Sequence, residues 1–456
     1  MIRIRLIVAL PLIYYSANVF AYTLTPALQV GEYYSDNVFL TQPKQSDWIT
    51  QIIPSIQFEE RTGKSEFIFG YQLQVLESSH QSQFDRTFHQ GSLRFDTKQD
   101  RLGFDLASQY TQDIVNPVTG ISPNNLIGPE RPDVLTTSAM PSVSLPIGDF
   151  GDADLSWRYG QVNYYGVDIA PTHDNRQTAN LKSGKMFQDV EWTWFSSNQE
   201  SRQNDRRVSR LRQSQLTTFI KLTQKIRGVA SFGTEDNQGS QLESISGENW
   251  SLGLQWFPSR NSQFQAQIGH RPYGKSYVFN AFWQRKRSLF TASYNETVTT
   301  DAQSRLESLP QNLLPVSTSR AVQFFPQVTN QLFINRQFNL AWQYQYRKST
   351  FIIDIFRDRR EFVRFPLHEN GKGYTLSWIY NINSDLQSTL SHGSADQDFF
   401  NGFSNPWSRE TASLDWLIGP QLSLQFTGQH FSSKPNPLPS VTENSISLNI
   451  VYKPNL

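Results

Sequence analysis

The chain has 456 residues, 41 basic against 40 acidic and a net charge of +1, which points to no nucleic acid and no acidic polymer as partner. Hydrophobic residues make up only 38% while aromatics reach 13%, with 32 Phe, 18 Tyr and 11 Trp; that richness in rings excludes a disordered chain, and the lack of long apolar runs beyond the first 20 residues excludes a helical membrane span. Cysteine is absent, so disulfide frameworks, thiolate metal sites and cysteine nucleophiles are excluded.

The N-terminus reads as a secretory signal. Arg3 and Arg5 form a basic n-region, Leu6 to Tyr15 an apolar h-region too short to span, and Val19 and Ala21 occupy the positions before a cleavage point. Residues 1–21 are the expected signal peptide and 22–456 a single exported domain.

From there the chain alternates apolar and polar residues with period 2. In 334–347, Ile334, Arg336, Phe338, Leu340, Trp342, Tyr344 and Tyr346 share one face, and Asn335, Gln337, Asn339, Ala341, Gln343, Gln345 and Arg347 the other. Successive strand side chains point to opposite faces, whereas helical spacing would mix these sets. The pattern predicts 22 strands, at about 26–34, 48–60, 65–77, 87–97, 102–114, 134–145, 152–164, 176–187, 189–198, 208–223, 226–236, 247–257, 261–271, 277–286, 288–299, 334–347, 350–363, 371–382, 385–396, 408–418, 421–432 and 441–452. Pro54 and Pro141 fall inside two of them, where proline is expected to mark an edge or a bulge.

The connections alternate between short, such as Arg61 to Lys64, Gln99-Asp100 and Lys348-Ser349, and long, such as 35–47, 115–133, 300–333 and 397–407. Short periplasmic turns and long external loops are the asymmetry of a transmembrane β-barrel. Inside hydrocarbon every backbone polar group must be paired, and a closed sheet achieves this without helices. The expected fold is therefore all-β: one outer-membrane antiparallel barrel of about 22 strands, with 18–24 compatible, its apolar face toward lipid and its polar face toward a lumen. The last strand carries Ser445, Ser447, Ile450 and Tyr452, which resemble the signal read by the barrel assembly machinery, although Ser447 stands where glycine is usual and Lys453 to Leu456 run on beyond it.

Asp36 to Leu40 after the first strand, Asp47 to Thr50, Ile53 to Ile56, Arg61 to Lys64, and the Arg-rich strand–turn–strand of Tyr344 to Arg360 together resemble the PEP-CTERM system-associated outer membrane proteins. These are barrels of Gram-negative bacteria encoded near exosortase and exopolysaccharide genes. The resemblance spans most of 22–456. It implies a role in exopolysaccharide production or export, with the polymer or its export components as partners beside outer-membrane lipids, and it brings no catalytic residues and no cofactor.

The candidate lumen-lining residues are Glu66, Gln72, Arg94, Asp96, Asp105, Asp154, Arg158, Gln265, Gln267, Gln343, Gln345, Arg347, Asp354, Asp358 and Asp415. Amides donate and accept, which suits sugar hydroxyls, and the mixed charge argues against a sharply ion-selective pore. The plainer reading is that such residues only solvate a wet interior. No plug domain precedes the first predicted strand, so a barrel this wide is open or filled by its own loops. Loop 300–333, with Leu306, Leu309, Leu313, Leu314, Val316, Val322, Phe324 and Phe325, is the first candidate constriction, and 115–133 the second.

Catalysis is not expected. His392, Ser394 and Asp396 share a strand face, but such neighbours stand about 6–7 Å apart, too far for a nucleophile–base hydrogen bond. No Gly-x-Ser-x-Gly elbow occurs. Asp396 and Asp398 fall short of a calcium coordination shell, and His80, His89, His173, His270, His368 and His430 show no metal spacing. A polymer-export channel, a small-solute porin and a non-conducting scaffold stay open as functions.

Overall fold

In the computed structural model the described residues are 22–80, 85–112, 131–239, 244–309, 328–329, 331–363 and 367–454. The expected signal peptide at 1–21 lies outside them, as do most of 115–133 and residues 310–327. The described chain forms 22 strands and one short helix. The strands are β1 (Tyr22–Ser35), β2 (Asp47–Arg61), β3 (Ser65–Ser78), β4 (Arg86–Gln99), β5 (Leu102–Gln112), β6 (Asp133–Pro146), β7 (Gly151–Tyr165), β8 (Thr172–Ser183), β9 (Val190–Gln203), β10 (Arg206–Lys221) and β11 (Ile226–Gly239). They continue as β12 (Ser244–Ser259), β13 (Ser262–Arg271), β14 (Gly274–Arg285), β15 (Ser288–Thr299), β16 (Phe333–Tyr346), β17 (Ser349–Phe362), β18 (His368–Asn381), β19 (Leu386–Asp398), β20 (Trp407–Gly419), β21 (Leu422–Ser433) and β22 (Val441–Tyr452). Helix α1 (Asp301–Ser308) follows β15.

Each strand pairs antiparallel with the next, and β22 returns to β1 from Leu28↔Tyr452 to Ser35↔Ser445. The ladder closes on itself and leaves no edge strand, which is the condition for spanning hydrocarbon with strands. The protein is a closed 22-strand antiparallel barrel of the outer-membrane type.

Paired residues lie on one face, so the registers carry the inside–outside assignment around the ring. On β12, Trp250, Leu252, Leu254 and Trp256 point outward, 46–57% exposed with no protein over them. Ser251, Gly253 and Gln255 between them point inward. Only hydrocarbon can cover such a belt without the free-energy cost of wetting it. A charge placed there is expected to be costly: Leu254→Arg should lower unfolding free energy in lipid vesicles by about 2–4 kcal/mol. Gln265→Arg, on the inner face, should stay within about 0.5 kcal/mol. Urea titration read by the heat-dependent gel mobility of the folded barrel checks both, and equal costs would overturn the face assignment.

The outer boundary of the belt is marked chemically. On the outward face Tyr71 meets His89, Tyr159 meets His173 and Tyr374 meets His392, with Oη to ring-nitrogen distances of 2.7, 3.0 and 3.2 Å. Each pair joins neighbouring strands and combines an apolar ring with a polar tip, as an interfacial girdle requires.

Several details differ from expectation. Pro54 and Pro141 mark neither an edge nor a bulge. Both stay in register with one neighbour, at Leu28↔Pro54 and Phe104↔Pro141. On the other side the ladder skips them and resumes without slippage, from Ile52↔Val75 to Ser55↔Gln72 and from Ala139↔Tyr159 to Ser142↔Ser156. The missing N–H removes a rung on one side and leaves the register intact. The loop alternation is also incomplete. β9 and β10 are joined at the long-loop end by Asn204-Asp205 alone, with φ of 47° and 61°. Two left-handed residues in a row make the tight turn that Asn and Asp tolerate best.

Candidate functional site: a helix folded into the lumen

The inner wall carries many polar and charged side chains. Glu66, Asp96 and Asp105 form one cross-strand row on β3, β4 and β5. Arg94 stands on the same face, and Arg61 pairs with Glu66 at 2.8 Å. Gln72 faces inward opposite Gln90. Asp154 accepts from Ser144 at 2.7 Å and lies 3.7 Å from Lys182. Arg158 reaches the buried Asp174 at 3.3 Å, a carboxylate also bonded by Gln199 and Ser201. Gln265 and Gln267 lie inward on β13, Gln343 and Gln345 on β16, Asp354 and Asp358 on β17, and Asp415 on β20 between Gln387 and Gln425. Ser445 and Ser447 face the lumen, while Ile450 and Tyr452 face out, 48% and 44% exposed.

Arg347 is the correction to the lumen set. It sits in the two-residue turn between β16 and β17 with φ 51°, exposed, its guanidinium 5.4 Å from the Tyr346 ring centre. A left-handed turn residue leaves the strand alternation, so counting by twos along the sequence overshoots the wall by one position.

The feature that strand periodicity missed is α1. Thr300 caps it, accepting from the Gln303 N–H while the Gln303 side chain accepts from the Thr300 N–H. The signal was in the sequence: Thr300-Asp-Ala-Gln303 is a capping box. The helix lies against inward-facing residues. Leu306 packs with Val134 and Val162, and Leu309 with Ala107. A Cβ on Gly160 would come within 2.7 Å of Leu306, so the helix can approach that wall only over glycine. Gln303 donates to Ser201 at 3.1 Å and Ser209 at 3.2 Å. Arg176 reaches Glu307 at 3.0 Å. From a different strand, Arg360 of β17 pairs with Asp301 at 2.6 Å, both nearly buried. The helix is thus held between β5–β10 on one side and β17 on the other, inside the long-loop mouth. Loop 300–333 was the candidate constriction, and residues 300–309 of it enter the lumen.

A second inward segment seals the seam where β22 meets β1. Val38 packs with Tyr33, Ile49 and Leu76, and Leu40 with Trp407 and Phe431. Asn37 donates to the carbonyls of Thr41 and Thr442, and Gln42 to that of Ser440. Burial alone would push the Asp36 carboxyl up. Hydrogen bonds from Asn444 and Lys44 outweigh that and hold it below its ordinary value. Buried Glu443 accepts from Tyr33 and Ser35, both at 2.7 Å, across the same seam.

Below the mouth, the inner faces of β13–β18 form a recess of about 440 Å³. Phe282 and Phe356 offer ring surface, Gln263, Asn280 and Asn339 offer amides, and Asp354 and Asp358 offer carboxylates. Rings supply apolar contact for a flat ligand face, and amides and carboxylates match hydroxyls. That combination suits a hydroxyl-rich, uncharged ligand.

His392, Ser394 and Asp396 do not come together as a triad. They lie on the outward face, where His392 contacts Glu410 at 2.9 Å and Tyr374 at 3.2 Å, and Asp396 pairs with Lys372 at 3.2 Å. Asp398, Asp396's partner in the weighed cation site, stands in register with Asn370. No group of three His, Asp or Glu among the described residues is arranged to hold a metal.

No family model matches the chain, and no curated protein does. Solved structures share the fold. The FrpB iron transporter of Neisseria meningitidis (F5-1 variant) superposes with a TM-score of 0.53 at 11% identity, over 94% of this chain and 82% of that one. A mutant of the ferric enterobactin receptor PfeA of Pseudomonas aeruginosa gives 0.52 at 7% identity, over 94% and 80%.

Proposed function

We propose that this barrel is an outer-membrane channel for a hydroxyl-rich polymer, akin to the PEP-CTERM system-associated proteins and serving exopolysaccharide production or export. The observation that carries the reading is the recess of Phe282 and Phe356 among amides and carboxylates, set under a mouth narrowed by the chain's own helix. Transport is passive. The polar wall replaces water around the hydroxyls, the rings give a weak stacking surface, and the helix sets the width at the mouth. The balance of inward acids and bases leaves no sharp ion preference. Its partners on this reading are outer-membrane lipids, the barrel assembly machinery, and the polymer or its export components.

The test is single-channel recording of residues 22–456 refolded into a planar bilayer. Discrete steps are expected, shortened by added neutral polysaccharide, and Phe356→Ala should weaken that block while leaving the open conductance near its original value. Steps indifferent to polysaccharide would make it a general solute porin. A silent bilayer with the barrel folded would make it a scaffold.

A further inference from the structure

The outward face of β16–β21 carries two grooves. One groove of about 820 Å³ runs over Ala412 and Gly428 between Trp378, Leu376 and Leu390. A second, of about 710 Å³, lies on the other side of Tyr374, against Phe338 and Ile355. Small residues make the first one: Ala412 and Gly428 stand in register with each other on the outward face, and a Cβ on Gly428 would meet nothing within 4 Å.

Charge sits directly above. Phe338, Arg357, Lys372 and Asp396 form one cross-strand row. Arg357 is two residues beyond Ile355 on the same face, roughly 6–7 Å higher along the strand. That places it one row above Tyr374 and two above His392, on the water side of that pair. In the next row Arg336 and Arg359 share Glu361, and Glu296 lies 3.7 Å from Arg336. Lys372 shares Asp396. Arg357 is exposed and has no ion pair or hydrogen bond among the described residues. An unpaired guanidinium over an apolar groove is complementary to an anion that carries hydrocarbon.

We propose that this face holds a phosphorylated, multiply acylated lipid of the outer leaflet, with its phosphate on Arg357 and Lys372 and its chains in the two grooves beside Tyr374. Hydrocarbon gains little by moving from bilayer to groove, because both are apolar, so the grooves set shape. Selectivity lies in the headgroup. A planar guanidinium binds phosphate through two parallel charge-assisted hydrogen bonds, and an ammonium alongside adds a point charge.

The test uses folded barrel in detergent, incubated with diphosphorylated lipid A or with its fully dephosphorylated form. Native mass spectrometry counts the lipid retained after detergent exchange. Retention of the phosphorylated lipid should exceed that of the dephosphorylated one by about tenfold, and the double variant Arg357→Gln with Lys372→Gln should lose that margin. Arg212→Gln, on the outward face of distant β10, should keep it. Equal retention of the two lipids overturns the proposal, and so does a double variant that binds like the parent. Equal loss in all variants would mean a diffuse cationic surface, which overturns it as well. Heat-dependent gel mobility confirms that every variant is folded, and no arm depends on whether the lumen conducts.

Discussion

Replacing residues 300–332 by an Asn-Gly turn raises the single-channel conductance at least about twofold, because a helix with its side chains is roughly 10–12 Å across and this one stands in the mouth. The barrel itself should survive the deletion. The β15–β16 ladder runs up to Thr299↔Phe333, so a two-residue turn can close it without disturbing a rung. Of the wall groups that lose the helix, Arg360 gives up Asp301 but opens to lumen water and keeps the Phe333 ring at 4.5 Å. Ser201 keeps Asp174 as a partner, and Arg176 keeps the nearby Asp174 charge. The measurement is conductance in symmetric salt, beside the gel mobility shift that reports folding. An unchanged conductance with intact folding would remove the helix as the constriction and leave the seam loop 36–46 as the narrowing element.

Arg360→Ala should free the helix without removing it. Arg360 and Asp301 are nearly buried, and the guanidinium also lies 4.5 Å from the Phe333 ring centre. Deleting one partner of such a pair strands the other charge, at about 3–5 kcal/mol. After the change Asp301 keeps the Thr329 N–H, at 2.6 Å. Eight residues are too few to remain helical on their own, so the loss falls on docking and not on the barrel. The expected record is a fluctuating conductance between the parent and deletion levels, with the folding midpoint unchanged. Glu307→Gln, which breaks the partly exposed pair with Arg176, should alter the record far less, since pairs of that kind are worth about 0–1 kcal/mol. If Arg360→Ala records as the parent does, Asp301 and Arg360 are not the anchor.

The two elements differ in how legible they were. The strands could be read even where alternation was weak: the 176–187 and 208–223 patterns became β8 (Thr172–Ser183) and β10 (Arg206–Lys221), each shifted a few residues toward the N-terminus. Strand ends blur because the polar alternation continues into wall that rises above the lipid, as with Arg210 and Arg212 on the outward face of β10. Helix α1 was hidden for the opposite reason. Its buried face is only Ala302, Gln303 and Leu306 besides Asp301, too short a run to show a 3.6-residue period, so its capping box was the one local sign.

Asp354 and Asp358 were placed on one face by their spacing alone, but nothing local joined them to Phe282 and Asn280, which two intervening strands bring alongside. The same holds for the outward row of Arg357 and Lys372, for Tyr374 with His392, and for Asp301 with Arg360. Alternation belongs to each strand by itself, because successive side chains must point to opposite faces. The amino-acid sequence therefore determined a two-faced ladder, its apolar outside and polar inside, and the number of its strands. Register, closure of β22 on β1 and the inward path of the loop after β15 depend on residues far apart in the chain meeting across the sheet. Only the tertiary structure decided those, and with them the constriction, the recess beneath it and the charged row above the lipid belt.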